Sequence, residues 1–148
     1  MKIAATLALL LLTATSQAFA ASGWIERESK NSVEVTVDKL VASIEEAGAK
    51  VFATVDHAAG AKSIGQDMAP TVLVIFGNPK LGTPIIQANR RAGLDLPVRV
   101  LIWEDQSVVH IGYEAPDSLK ARYEVQGADE SFAATTKALD RLTTAASE

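Results

Sequence analysis

The chain has 148 residues, 48% of them hydrophobic and 22% charged, and contains no cysteine. That length suits one domain. Without cysteine there is no disulfide framework, zinc–thiolate site, cysteine nucleophile or iron–sulfur cluster. Fourteen Lys and Arg against 18 Asp and Glu set the net charge at −4, which argues against a nucleic-acid binder.

The N-terminus reads as a secretory leader. Lys2 is followed by the largely apolar run Ile3–Leu12, too short for a membrane-spanning helix, which needs about 20 residues. Polar residues follow, and Ala18-Phe19-Ala20 places small residues at the −3 and −1 positions of a cleavage site. This predicts a signal peptide over residues 1–20, cleaved before Ala21, and a periplasmic or secreted mature domain over 21–148. No cysteine stands at the cut to carry a lipid, so no membrane anchor is expected. Removing 20 residues from 148, and Lys2 with them, leaves 128 residues with 13 basic and 18 acidic groups, a net charge of −5. A domain of that size buries roughly two thirds of its unfolded surface, enough to fold without disulfides.

Trp24–Ser29 alternates as a first strand. Asn31 and Glu34 have capping-box spacing, with Ser32 as a competing cap. From Val33 the apolar positions Val37, Leu40, Val41, Ile44 and Ala47 follow helical spacing, and Gly48 stands where a left-handed C-cap belongs. Val51–Asp56 reads as a second strand with Val51, Ala53 and Val55 on one face, followed by a short Ala-rich helix over 57–64. Thr71–Phe76 is apolar on both faces and so a central strand. Gly77-Asn78-Pro79 is a turn. Leu81–Ala92 reads as a helix ending at Gly93, with Gly82 or Thr83 as its cap and Pro84 at its first position. Val98–Glu104 and Val108–Tyr113 are strands joined by the three-residue loop Asp105-Gln106-Ser107. Pro116 opens a short helix, and a last helix begins near Asp129 or Ser131, carries Phe132, Thr136, Leu139 and Leu142, and ends in a polar frayed tail. The expected class is α+β: one antiparallel-dominated mixed sheet of about five strands with helices packed on it.

Three stretches, "VFATVDHAAGA", "PTVLVIFGNPKLGTPIIQ" and "AGLDLPVRVLIWED", stand in this order, followed by "YEAPDSLKARY". Together they resemble the bacterial and archaeal family catalogued as domain of unknown function 302. The resemblance covers about residues 33–123, and its specific parts are Phe76-Gly77-Asn78-Pro79 and Leu94-Asp95-Leu96-Pro97. It implies a compact α+β fold, often associated as a dimer, with no established activity. Two departures stand out: Tyr113-Glu114-Ala115-Pro116 replaces the family's common Tyr-Asn-Asp-Pro, and Tyr123 stands where relatives often carry histidine.

Candidate chemistry centres on few residues. His57, at a strand end beside Asp56, is a candidate general base or metal ligand, or else simply caps the following helix. His110 opposes Val109, Ile111 and Tyr113 across its strand and should face solvent or an interface. A copper or zinc site pairing His57 with His110 requires both on one side of the sheet and wants a third ligand, Glu104 or Asp56. Trp103 and Tyr113 on neighbouring strands suit a cross-strand aromatic pair. The leading expectation is a non-enzymatic homodimer binding a small ligand or an exported partner protein where His57, Lys62, Asn78 and Trp103 converge, with Lys80 and Glu104 nearby. No cofactor is required. A small-substrate enzyme using His57 is the runner-up.

Overall fold

Five strands and five α-helices follow one another along the described residues, 23–148, of the computed structural model: β1 (Trp24–Ser29), α1 (Val33–Glu46), β2 (Lys50–Asp56), α2 (His57–Ser63), β3 (Thr71–Gly77), α3 (Pro79–Ala88), β4 (Val98–Asp105), β5 (Val108–Glu114), α4 (Pro116–Arg122) and α5 (Asp129–Ser147). A 3₁₀ turn, Arg90–Leu94, follows α3. The leader reading of residues 1–20 and the cut before Ala21 lie outside the described residues. The strands are ordered β1-β5-β4-β3-β2, every neighbouring pair antiparallel. The α+β class holds, and the expected mixed sheet is wholly antiparallel.

Residues directly opposite one another on paired strands share a face, so the register sorts the sheet. Val72, Val74 and Phe76 of β3 pair with Ile102, Val100 and Val98 of β4, and Ile102 and Val100 pair in turn with Ile111 and Tyr113 of β5. This face packs under α1 and α5, where Leu40, Ile44, Leu139 and Leu142 complete the main core. Full burial of each such aliphatic side chain contributes roughly 1.5–3 kcal/mol. The other face carries Leu73, Ile75, Leu101, Trp103 and His110, all half-buried. A second, smaller core of Ile85, Ala92, Leu119, Tyr123, Val125 and Phe132 gathers α3, the 3₁₀ turn, α4 and α5 beside the sheet.

Local rules set most element ends. Ser32 caps α1 by accepting from the Val35 amide, while Asn31 turns instead toward the Ala146 carbonyl, so the Asn31–Glu34 capping box does not form. Gly48 takes φ +70° after α1, as a left-handed cap requires. The β4–β5 connection is shorter than expected. Asp105 already pairs with Val108, leaving Gln106 and Ser107 alone at φ 48° and 68°, the two left-handed residues of a hairpin turn whose twist matches its strands.

Four expectations are corrected. A register shift between Val51 and Ala53 puts Val51 opposite Phe76 on the covered face but Ala53 and Val55 opposite Ile75 and Leu73 on the other, so the three do not share a face. The helix expected over Leu81–Ala92 starts earlier, with Asn78 as cap and Pro79 in its first turn, and Pro84 lies inside it. It breaks at Asn89, whose Oδ1 accepts from the Arg91 amide while its Nδ2 donates to the Tyr123 carbonyl at 2.7 Å. The tail of α5 is anchored, not frayed: Ala146 is fully buried, and the Ser147 carbonyl accepts from the Lys30 amide at 2.9 Å. Thr135, not Thr136, is the buried threonine at that turn of α5.

Gly112 in β5 sits beneath the Trp24 indole so closely that a Cβ there would overlap the ring. Gly112→Val should displace Trp24, red-shift tryptophan emission, and cost about 1–3 kcal/mol by overpacking. Unchanged emission and unchanged urea unfolding would show that β1 does not depend on this contact.

Candidate functional site

The topology scatters the residues expected to converge. His57 opens α2 as an exposed residue just past Asp56, which pairs with Val72 near the start of β3. Asn78 follows Gly77 at the other end of that strand. Seven residues at roughly 3.3 Å each separate the two ends by about 20 Å. Lys62 stays exposed near His57, and Lys80 exposed near Asn78. Trp103 lies opposite Thr71, near the His57 end, and Glu104 is the next residue, half-buried, its amide bonded to the Pro70 carbonyl at 3.0 Å. So His57, Lys62, Asn78 and Trp103 do not form one site. Asp56, not His57, caps α2, accepting from the Ala59 amide at 2.9 Å.

His110 faces away from Val109, Ile111 and Tyr113, as its strand position requires. Its ring stacks on Trp103 at 5.1 Å, and its Nδ1 lies 2.9 Å from Glu26 Oε1. Trp103 meets Trp24 at 6.0 Å, while Tyr113 points into the core opposite Val100, so the Trp103–Tyr113 pair does not form. His57 follows β2 and His110 belongs to β5, three strand spacings apart, roughly 14 Å at about 4.8 Å each. That distance is too great for both to bind one metal ion.

What the fold does bring together is the pair of segments that carry the family resemblance. Phe76-Gly77-Asn78-Pro79 and Leu96-Pro97 line a cavity of about 330 Å³, closed by α3 above and by Leu139 and Leu142 of α5 on one side. Gly77 eases this approach, because a Cβ on it would come within 3.2 Å of Pro97 and push that ring back by a few tenths of an ångström. Asn78 Oδ1 accepts from the Lys80 amide at 3.0 Å, which leaves the side-chain NH₂ to face the lining. Gly82 adjoins open space: a Cβ added there meets nothing within 4 Å. The walls are predominantly apolar. Among the described residues the lining includes no Asp or Glu and one cation, Arg141.

A second cavity of about 290 Å³ lies alongside, sharing Leu96, Val98 and Thr135 with the first. It is bounded by Leu101, Leu119 and Phe132 and rimmed by Asp95, Arg99 and Glu114. Asp95 is the hub of the rim. Its side chain is only 12% exposed, and it accepts from Arg99 at 2.6 Å, Arg122 at 2.6 Å and the Tyr123 hydroxyl at 2.8 Å. Arg122 continues the network to Glu114. Burial by itself pushes the Asp95 carboxyl up, but the Tyr123 hydrogen bond, the Arg122 hydrogen bond and charge, and the Arg99 charge outweigh it and hold the group below the ordinary carboxylate range. Tyr123, whose own ionisation is pushed up by this bond, thus closes a polar lock. Arg99, Arg122 and Arg141 carry no signal in the sequence, while Asp95, Glu114 and Tyr123 stand out there only through the resemblance and its departures.

A carboxylate depressed in the folded state adds stability above its unfolded value, near pH 3.9, and that stability is lost as pH falls through the folded value. Asp95→Asn should therefore cost about 2 kcal/mol at pH 7, the worth of a hydrogen bond to a charged group. It should also flatten the loss of stability as pH falls below about 5. Urea unfolding at stepped pH checks both, and parallel curves for the two proteins would remove Asp95 from the account.

Known proteins place the chain. The solved structure titled "Crystal structure of uncharacterized conserved protein DUF302 from Bacillus stearothermophilus" superposes with a TM-score of 0.78 at 19% identity, covering 85% of this chain and 99% of that one. That likeness is one of fold. Two curated relatives are each 49% identical over 86 residues: "Fluoride-specific ion channel FluC 1" of Brucella suis biovar 1 (strain 1330), with 58% of this chain and 34% of that protein covered, and its namesake in Brucella abortus biovar 1 (strain 9-941), with 58% and 32% covered. The chain spans about a third of the length of these relatives. The model of the family described as "Domain of unknown function DUF302" matches residues 25–142. With the match running from β1 almost to the end of α5, the chain belongs to the DUF302 family.

Proposed function

We propose that this chain is an exported, non-enzymatic binding domain that takes a small, largely apolar molecule into the cavity between Phe76–Pro79, Leu96-Pro97 and α5, and works as a homodimer. The cavity carries the proposal. At about 330 Å³ it falls at the small end of the range of ligand pockets, about 300–1,000 Å³, which are mostly apolar with a few placed polar groups. Asn78, among the residues singled out from the sequence, supplies one such group. His57 is exposed and lines neither of these two cavities, which favours binding over catalysis by that residue. Export rests on the leader pattern of residues 1–20. The match to the Brucella proteins covers a third of their length, and ion transport is no part of this proposal.

Support for the homodimer comes from the sheet face that α1 and α5 leave open. Leu73, Ile75, Leu101 and Trp103 are only half-buried there, and Trp24 and Val55 are exposed beside them. A contiguous apolar surface of this kind marks an interaction site, and a second copy supplies a face of the same chemistry.

The ligand reading is tested with a neutral fluorescent probe, N-phenyl-1-naphthylamine. It should bind the mature domain with micromolar affinity. Gly82→Phe should weaken binding at least tenfold by filling the cavity, while the melting temperature holds or rises, since replacing a helical glycine gains up to about 1 kcal/mol. Unaltered binding in Gly82→Phe would place the probe elsewhere and defeat the reading.

The dimer is tested by size exclusion with light scattering at micromolar concentration. Wild type should run as a dimer and Val55→Glu as a monomer. A monomeric wild type would overturn that part of the proposal.

A further inference from the structure

We infer that the ligand of the Phe76–Pro97 cavity is a linear aliphatic carboxylate of medium length, its chain lying between Phe76, Ile86 and Leu139 and its carboxylate paired with Arg141. The inference rests on the cavity reading above and adds to it the chemical class of the ligand and the residue that selects it.

The charge pattern carries the argument. The chain as a whole is acidic, 18 Asp and Glu against 14 Lys and Arg, yet the cavity lining includes no acid among the described residues and has a single cation, Arg141. Other arginines near the sheet are engaged. Arg27 pairs with Asp140, the residue beside Arg141, and Arg99 and Arg122 both pair with Asp95. Among the described residues no acidic group lies within ion-pair distance of Arg141. An exposed guanidinium at the edge of an apolar, acid-free cavity is complementary to one ligand type: an apolar body ending in a planar anion, which a guanidinium grips through two parallel N–H···O bonds.

Two further polar side chains on the lining, Asn78 and Thr135, agree with a small anion rather than a cation or an amine. The Asn78 side-chain NH₂ is a donor, because its Oδ1 is occupied by the Lys80 amide. Thr135 points its hydroxyl back to the Ser131 carbonyl and leaves the lining to its methyl group. The cavity volume is small for a lipid with two chains, and its apolar walls suit a single unbranched one.

The test uses the mature domain loaded with N-phenyl-1-naphthylamine, displaced by decanoate or by the neutral decanol. Decanoate should displace the probe at least tenfold more effectively than decanol in wild type. With displacement read against each variant's own probe affinity, Arg141→Gln, at an exposed position, should bring decanoate down to the level of decanol, and Arg141→Lys should recover part of the difference. Equal displacement by the acid and the alcohol, or an Arg141→Gln variant that still prefers the acid, overturns the inference and leaves the cavity reading standing. Failure of the neutral probe to bind at all defeats both.

Discussion

The structure depends on how α5 is held across the sheet. Its apolar stripe, Leu139, Leu142 and Ala146, meets the covered face formed by β3, β4 and β5, and polar groups hold it in place. Arg27 reaches from β1 to Asp140 and Thr144, and the Lys30 amide bonds the Ser147 carbonyl. Thr135 and Thr143 can be buried in this helix because each hydroxyl donates to the carbonyl four residues back, so neither hydroxyl is left without a partner.

With α1 and α5 occupying the covered face, α3 has no room there. It packs on α5 and on the 3₁₀ turn, bridging the ends of β3 and β4 rather than lying on them. The space left under it is the larger cavity. Its floor is set by the Gly77–Pro97 approach, and its position relative to the smaller cavity by Leu96, Val98 and Thr135, which belong to both. The Asp95 network then ties the segment carrying Leu96 and Pro97 to α4 through Arg122 and Tyr123. One loop thereby lines both cavities and is held by a carboxylate that three donors keep ionised.

The sheet's second face follows from the same arrangement. The main packing of α1 and α5 is on the opposite face, so Leu73, Ile75, Leu101 and Trp103 here stay only half-buried. Trp24 lies on Gly112 and against Trp103, and Trp103 stacks on His110. Trp24 and Gly112 of this row also line the smaller cavity, whereas none of Trp24, Trp103 and His110 lines the larger one, which separates the face suited to a partner from the larger cavity suited to a ligand.

Much of the fold could be read along the chain because it is governed by short-range rules: the period of Val33–Ile44, the Gly48 cap, the alternation of Val98–Trp103, and the placement of His110 opposite Val109, Ile111 and Tyr113. Where these rules failed, a contact distant in sequence had intervened. Asn89 breaks its helix to reach Tyr123, and the α5 tail is ordered by β1 and the Lys30 amide. The register shift in β2 moves Ala53 and Val55 to the other face. The site was less legible for the same reason. Sequence alone singled out the Phe76–Pro79 and Leu94–Pro97 segments and Asn78, but gathered Asn78 with His57, Lys62 and Trp103, which strand length and face keep apart. Only the tertiary structure decided which groups meet, since Arg141, Gly82 and Leu96 are brought to one cavity by helix packing and chain crossing, and neither leaves a periodic mark on the sequence.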